Sequence, residues 1–189
     1  MSDADQIIIE DCKKGKRDAQ NKLYKKFAPS LLSLCMRYAR NREEAEDVLQ
    51  EGFIKVFLNI MNFRGEGSFE GWMKRIMVNT AITHNKQTLK HHFHADISEI
   101  EETHLVEEEE KTEENIVKIP TGKLLEMIQQ LPVGYNTVFN LYVFENYTHK
   151  EIADLLGVSV NTSKSQLSKA RKHLTSRIAK ITGNSKLEN

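Results

Sequence analysis

Residues 147–174, YTHKEIADLLGVSVNTSKSQLSKARKHL, decide the fold of the C-terminal part of this chain. Two short amphipathic helices are written there with a tight corner between them. The first carries Ile152, Ala153, Leu155 and Leu156 as its apolar positions. Gly157 follows, and a glycine reaches the positive φ of a helix end without a Cβ penalty. Val158 is placed to plug the corner. Ser159 is an N-cap, because its hydroxyl can accept from a backbone N–H that has no partner inside the helix. The second helix sets Val160, Ser163, Leu167, Ala170, Leu174 and Ile178 on one seam at three- and four-residue spacing. The opposite face collects Thr162, Lys164, Ser165, Gln166, Ser168, Lys169, Arg171 and Lys172, with no acid and no large apolar group. Any one of these features also fits an ordinary helical corner with a solvated basic face. Their coincidence in one stretch is the pattern of a helix-turn-helix that lays its second helix in the major groove of DNA.

Immediately upstream the pattern is also helical. Thr121 is a cap candidate for a helix carrying Leu124, Leu125, Ile128 and Leu131, which Pro132 ends. The next segment, VGYNTVFNLYVFENYT, places Val138, Phe139, Tyr142 and Val143 on an apolar helix that would bury itself against the helix-turn-helix. Residues 119–183 are therefore expected to form a four-helix domain, with a frayed tail over residues 184–189. Residues 94–118 are acidic, contain EEEEKTEE, and show no consistent apolar stripe. Such a composition reads as a flexible linker. His91, His92 and His94 stand just at its start, but they lack metal-ligand spacing and a second ligand pair, so no metal is expected.

The N-terminal part, residues 1–93, reads as a second helical domain. Ile7, Ile8 and Ile9 open one segment, and Leu23, Tyr24, Phe27, Leu31, Leu34, Cys35 and Tyr38 continue at helical spacing. Pro29 marks a kink or a boundary between helices. Asn41 is a cap for the segment REEAEDVLQEGFIKVFLNI. Its inner face is Ala45, Val48, Leu49, Phe53, Val56, Phe57 and Ile60. Its outer face concentrates Glu43, Glu44, Glu46, Asp47, Gln50 and Glu51. Acids there either complement the positive end of the helix dipole or dock a partner, and charge alone leaves both readings open. The run FRGEGSFEGWMKRIMVNTA brings Phe63, Arg64, Phe69 and Trp72 together among glycines, followed by Lys74, Arg75 and Asn79. The aromatics suit either a core or a stacking surface for unpaired bases with cations on the phosphates.

Composition narrows the class. The 189 residues carry 27 basic and 27 acidic side chains, for a net charge of zero. The charges segregate: residues 1–95 hold 16 Lys/Arg and 12 Asp/Glu, residues 96–120 hold 2 and 10, and residues 121–189 hold 9 and 5. For a polyanionic partner the charge of each block matters more than the total. No apolar run approaches bilayer length, and MSDADQIIIED lacks the basic and apolar regions of a signal peptide. Cys12 and Cys35 form no CxxC or Cys/His cluster, which fits reduced thiols in a cytoplasmic protein. No nucleophile set, metal set or phosphate-cradling loop points to an enzyme, and no cofactor is implied.

AEDVLQEGF, the aromatic and basic run between Phe69 and Asn79, and LPVGYNTVFNLYVFENYTHKEIADLLGVSVNTSKSQLSKAR together resemble the extracytoplasmic-function (ECF) sigma factors of bacterial RNA polymerase, sigma-70 family, most of all those of Bacteroidetes. The resemblance covers nearly the whole chain outside the acidic middle. It implies an all-α protein that directs core polymerase to promoters and helps open them. By this resemblance Glu46, Asp47, Gln50 and Glu51 would face the beta-prime clamp helices. Phe63, Arg64, Phe69, Trp72, Lys74, Arg75 and Asn79 would serve the downstream promoter element, with Phe63 and the loop around Gly65 nearer the DNA than Trp72. The basic face of the last helix would read the upstream element, the C-terminal domain would meet the beta flap, and an anti-sigma factor is a further partner. The linker would thread toward the active-site and RNA-exit path. The chain departs from the family pattern at Ser163, where a valine is usual, at Gln166, where an arginine is common, and at Thr83, Lys86 and Gln87. The Ser163 hydroxyl could bond back to the carbonyl four residues earlier.

The alternative of a different class is a helix-turn-helix regulator that binds duplex DNA as a dimer without polymerase. A receiver domain would need alternating strands and helices in residues 1–95, and a nuclease would need carboxylates clustered in a pocket; the sequence shows neither pattern.

Overall fold

The computed structural model describes residues 3–86, 89, 90, 93 and 119–182. The acidic segment 94–118, Gln87, His91, His92, His94 and the tail 184–189 lie outside the described residues. All regular structure among the described residues is helical, and the chain divides into two compact units, residues 1–85 and 86–189.

In the first unit α1 spans Asp3–Lys13, α2 Arg17–Tyr38, α3 Arg42–Asn59 and α4 Phe69–His84, with a 3-10 turn at Ile60–Asn62. Helices α2, α3 and α4 pack on one another in all three pairs, and α1 lies along α2. The core between them is Leu23, Leu31, Leu34, Cys35, Ala45, Val48, Leu49, Phe53, Val56, Met73 and Met77, all buried. Asn41 caps α3 as expected, its side chain accepting from the Glu44 N–H at 2.8 Å. Ser68 caps α4 in the same way through the Gly71 N–H. Gly52 explains how closely α3 and α4 approach: a Cβ there would overlap the buried Met77 thioether.

Pro29 is not a boundary between helices; α2 continues through it to Tyr38. The carbonyls around the interruption find hydroxyls, Ser30 Oγ donating to Phe27 O and Ser33 Oγ to Pro29 O. The helical pattern also persists past His84, since Leu89 and Phe93 are helical and buried.

The second unit holds α5 Thr121–Gln129, α6 Val133–Val143, α7 His149–Leu156 and α8 Val160–Thr182. Helix α8 packs against α6, α7 and the short α5. Thr121 is the first residue of α5 rather than its cap, which is Pro120. The corner between α7 and α8 is built as expected. Gly157 adopts the left-handed conformation (φ 69°, ψ 38°), and Ser159 Oγ accepts from the Thr162 N–H at 2.9 Å. A capping box at Thr148 and Glu151 fixes the other end of α7. Buried amides add rigidity to α6: Asn136 Nδ2 donates to Ile128 O at 2.8 Å and Asn140 Nδ2 to Asn136 O at 2.9 Å. Arg177 ties the end of α8 to α5 by donating to Gln130 Oε1 at 2.7 Å.

Candidate nucleic-acid interface

Three faces carry the predicted site residues. The first is the outer side of α8. Asn161, Lys164, Ser168, Arg171 and Lys172 are exposed and recur at three- and four-residue spacing, with Ser165 half-buried among them. No acid interrupts this stripe. Lys169 is turned back, its ammonium 5.9 Å from the centre of the Tyr135 ring on α6.

Two residues expected on this face belong to the interior. Gln166 is 0% exposed and Thr162 9%. At 3.6 residues per turn they sit roughly 100–140° round the helix from Asn161, on the side of Ser163, Leu167 and Ala170. Their polarity suggested the surface; their angular position puts them inside, where Thr162 Oγ1 meets Ser159 Oγ at 2.8 Å. Val160 shows the reverse, being 40% exposed although it was expected on the seam. Asn161 was missed by sequence reasoning. The signal was available, because base-reading residues cluster at the N-terminal end of a recognition helix.

The second face lies on α4 and the loop before it. Phe63 and Phe69 are buried, at 6% and 3% exposure, whereas Trp72 is half-buried. Phe63, which was expected nearer the DNA than Trp72, is the more buried of the two. The rings form one cluster, Phe63–Phe69 at 5.0 Å, Phe63–Trp72 at 5.6 Å and Phe69–Trp72 stacked at 5.4 Å, with Phe27 of α2 at the back. Trp72 therefore rests on a rigid apolar bed with part of its surface open. Arg75 and Asn79 are exposed on the same stripe of α4 as Trp72, and Arg64 is exposed in the loop. Lys74 lies roughly 160° away round the helix and pairs with Glu70 at 2.9 Å. The structure brings Trp72, Arg75 and Asn79 together and leaves Lys74 on the other flank.

The third face is the outside of α3. Asp47, Gln50 and Glu51 are exposed on one narrow stripe, and Glu51 also pairs with Lys55 at 2.7 Å. Glu46 lies on the flank of that stripe, roughly 40° beyond Gln50, and is half-buried, held by Arg42 at 2.7 Å. The stripe continues beyond the acids with Ile54 at 60% and Leu58 at 76% exposure, and Met61 follows in the 3-10 turn at 68%. Isolated exposed apolar side chains are ordinary, but these three follow one another beside the acidic end and make one mixed acidic and apolar surface. Sequence reasoning noticed only the acids. The second unit also shows apolar surface at the end of α6: Tyr142 and Val143, which were expected to be buried, and Phe144 just after them are 36–43% exposed.

Among the described residues there is no group of His, Cys, Asp and Glu able to hold a metal ion, and no helix long and apolar enough to cross a membrane.

Comparison with known proteins places both helical units in one family. Residues 23–88 match the family described as Sigma-70 region 2, and residues 121–174 match Sigma-70, region 4. The RNA polymerase sigma-H factor of Pseudomonas aeruginosa is 30% identical over 173 residues, covering 88% of this chain and 90% of its own length. The ECF RNA polymerase sigma factor SigW of Bacillus subtilis is 28% identical over 172 residues, covering 88% and 92%. In fold, the chain is similar to the sigma factor RpoE crystallised with the anti-sigma factor NepR from Bartonella quintana. That match has a TM-score of 0.50 and 15% identity, over 82% of this chain and 94% of the other. The chain belongs to the sigma-70 family of RNA polymerase sigma factors, in its ECF group. It is a transcription initiation factor that directs the polymerase to promoters.

Proposed function

We propose that the two units divide promoter recognition and that each face described above has one task. The observation that carries this reading is the outer stripe of α8, cationic, free of acids and ending in the exposed Asn161 at its N-terminal turn. Lys164, Arg171 and Lys172 position the helix on phosphates, while Asn161, Ser165 and Ser168 reach base edges of the upstream element. In the first unit Trp72 offers an aromatic face to an unstacked base of the downstream element, and Arg64, Arg75 and Asn79 hold the opened strand. Opening then follows from exchanging base stacking for protein contacts, and the chain itself catalyses no bond change.

The stripe from Asp47 to Leu58 docks on the beta-prime clamp helices, its acids on basic side chains and its apolar end on apolar ones. The exposed end of α6 supports the beta flap as a second contact. A first domain over residues 1–93, a linker over 94–118 that lies along the polymerase, a second domain over 119–183 and the tail 184–189 belong to the same reading. An anti-sigma factor would compete for the docking stripe, and the chain acts in the cytoplasm with the polymerase. The test is co-purification. The chain should be retained by core enzyme in a defined ratio, and a duplex-binding dimer that ignores core enzyme would contradict the proposal.

A further inference from the structure

His149 and Ser163 form a polar strut across the helix-turn-helix. His149 is the first residue of α7, placed there by the Thr148–Glu151 capping box. Its ring stacks on Tyr142 of α6, with centroids 4.7 Å apart and planes 24° from parallel. From this held position its Nδ1 lies 2.9 Å from Ser163 Oγ in the first turns of α8. Ser163 is 0% exposed, so bulk solvent does not compete for its hydroxyl and the imidazole satisfies it. The expected bond from that hydroxyl back along its own helix is replaced by one between helices. Arg171, two turns further on in α8, lies 5.9 Å from the centre of the same Tyr142 ring.

We propose that His149 is a positioning residue for base discrimination by α8. The residue after Ser163 is Lys164, and Asn161 is two before it, so both outward side chains hang on the turn that the strut anchors. An apolar contact at this place would hold α8 by shape alone and permit sliding; a hydrogen bond 2.9 Å long constrains both rotation and height of the first turns. Loss of the strut leaves α8 packed through Leu167 and Ala170 but frees its N-terminal end. Phosphate contacts tolerate such a shift, whereas base contacts do not. The inference rests on the reading that α8 enters the major groove.

The test uses the full chain bound to core polymerase and a library of duplexes randomised through the upstream promoter region, sequenced before and after selection. Four variants are compared with the unaltered chain: His149→Ala, Ser163→Ala, the double variant, and His149→Asn, whose amide can replace Nδ1. The expected result is a loss of upstream-sequence enrichment of roughly ten-fold in either alanine variant, of the order of one base contact, with total DNA retained changing far less. The double variant should be no worse than either single one, and His149→Asn should restore most of the enrichment. Thermal unfolding of each variant separates positioning from folding. Enrichment that survives in Ser163→Ala, additive losses, or losses that merely track melting temperature would overturn the role of His149. No upstream enrichment by the unaltered chain would instead overturn the reading of α8 itself.

Discussion

Trp72 stacks on Phe69 with ring centroids 5.4 Å apart and planes 27° from parallel. The inner ring is buried and the outer one keeps part of its surface open. This pair sets a buried ring and a half-open one side by side in one aromatic cluster, and the two substitutions should behave differently.

Phe69→Ala removes a buried ring and is expected to cost ~3–5 kcal/mol of stability in the first unit. Trp72→Ala should cost clearly less. It should slow promoter opening on duplex DNA and be partly rescued on a template whose downstream element is already unpaired, because the melting cost has been removed. Thermal unfolding together with opening rates on both templates checks this; equal loss on both templates would make Trp72 purely structural.

Gln166 and Lys164 should separate in the same manner on α8. Gln166 is fully buried, so Gln166→Ala should destabilise the second unit by ~1–3 kcal/mol and weaken binding to all upstream sequences alike. Lys164 is exposed, and Lys164→Ala should leave stability within about 0.5 kcal/mol. It should lower affinity uniformly and reduce the salt dependence of binding by about one phosphate contact. Melting curves and affinity against salt concentration measure both.

On α3, reversing charge at Asp47 and Glu51 should weaken binding to core polymerase by roughly ten-fold or more, as like charges meet. The fold should survive. The Glu51–Lys55 pair is half in solvent and contributes under ~1 kcal/mol. Leu58→Ala, at a side chain 76% exposed, should also weaken docking without changing the melting temperature. Affinity for core enzyme, measured alongside helicity, decides between docking and a mere helix-dipole role for the acids.

The two thiols give a test of the core that needs no partner. Burial pushes Cys35 up to about 12 and Cys12 up to about 11, the Asp11 carboxylate adding to the rise at Cys12. Both should therefore resist alkylation in the folded chain at pH 8 and react only after unfolding, since the thiolate is the nucleophile. The ordinary thiol value is 9.0. The folded state thus holds its protons to higher pH than the unfolded chain, so this contribution to stability is complete below about pH 9 and lost as pH rises toward 12. Alkylation rates and melting temperatures across that range are the readouts.

The fold was legible wherever local chemistry speaks for itself. Asn41, Gly157 and Ser159 announce helix ends through groups that only a cap or a left-handed turn satisfies. The apolar spacing of α3 and α8 gave the inner faces of both helices in outline. Pro29 left a boundary open as one reading, which the structure does not take, because a long helix can absorb one missing N–H when tertiary packing holds both halves. The sites were less legible. Gln166 and Thr162 were assigned by polarity, although their angle on α8 points inward; a buried amide requires partners from other helices, which no local pattern announces. The burial of Phe63 went unread because a glycine-rich loop beside it has no period from which burial can be read. Ile54 and Leu58 escaped notice because exposed apolar residues resemble core residues until the packing is known.

The central claim, that this chain gives promoter specificity to a polymerase rather than acting alone on DNA, is tested most directly by transcription from genomic fragments with purified core enzyme. With both components present, transcripts should begin at a small set of defined starts, preceded by shared upstream and downstream elements. The chain alone should bind duplex DNA weakly and lose that binding as salt rises. Defined footprints from a dimer of the chain without polymerase, together with transcript starts that do not change when the chain is added to core enzyme, would contradict the account.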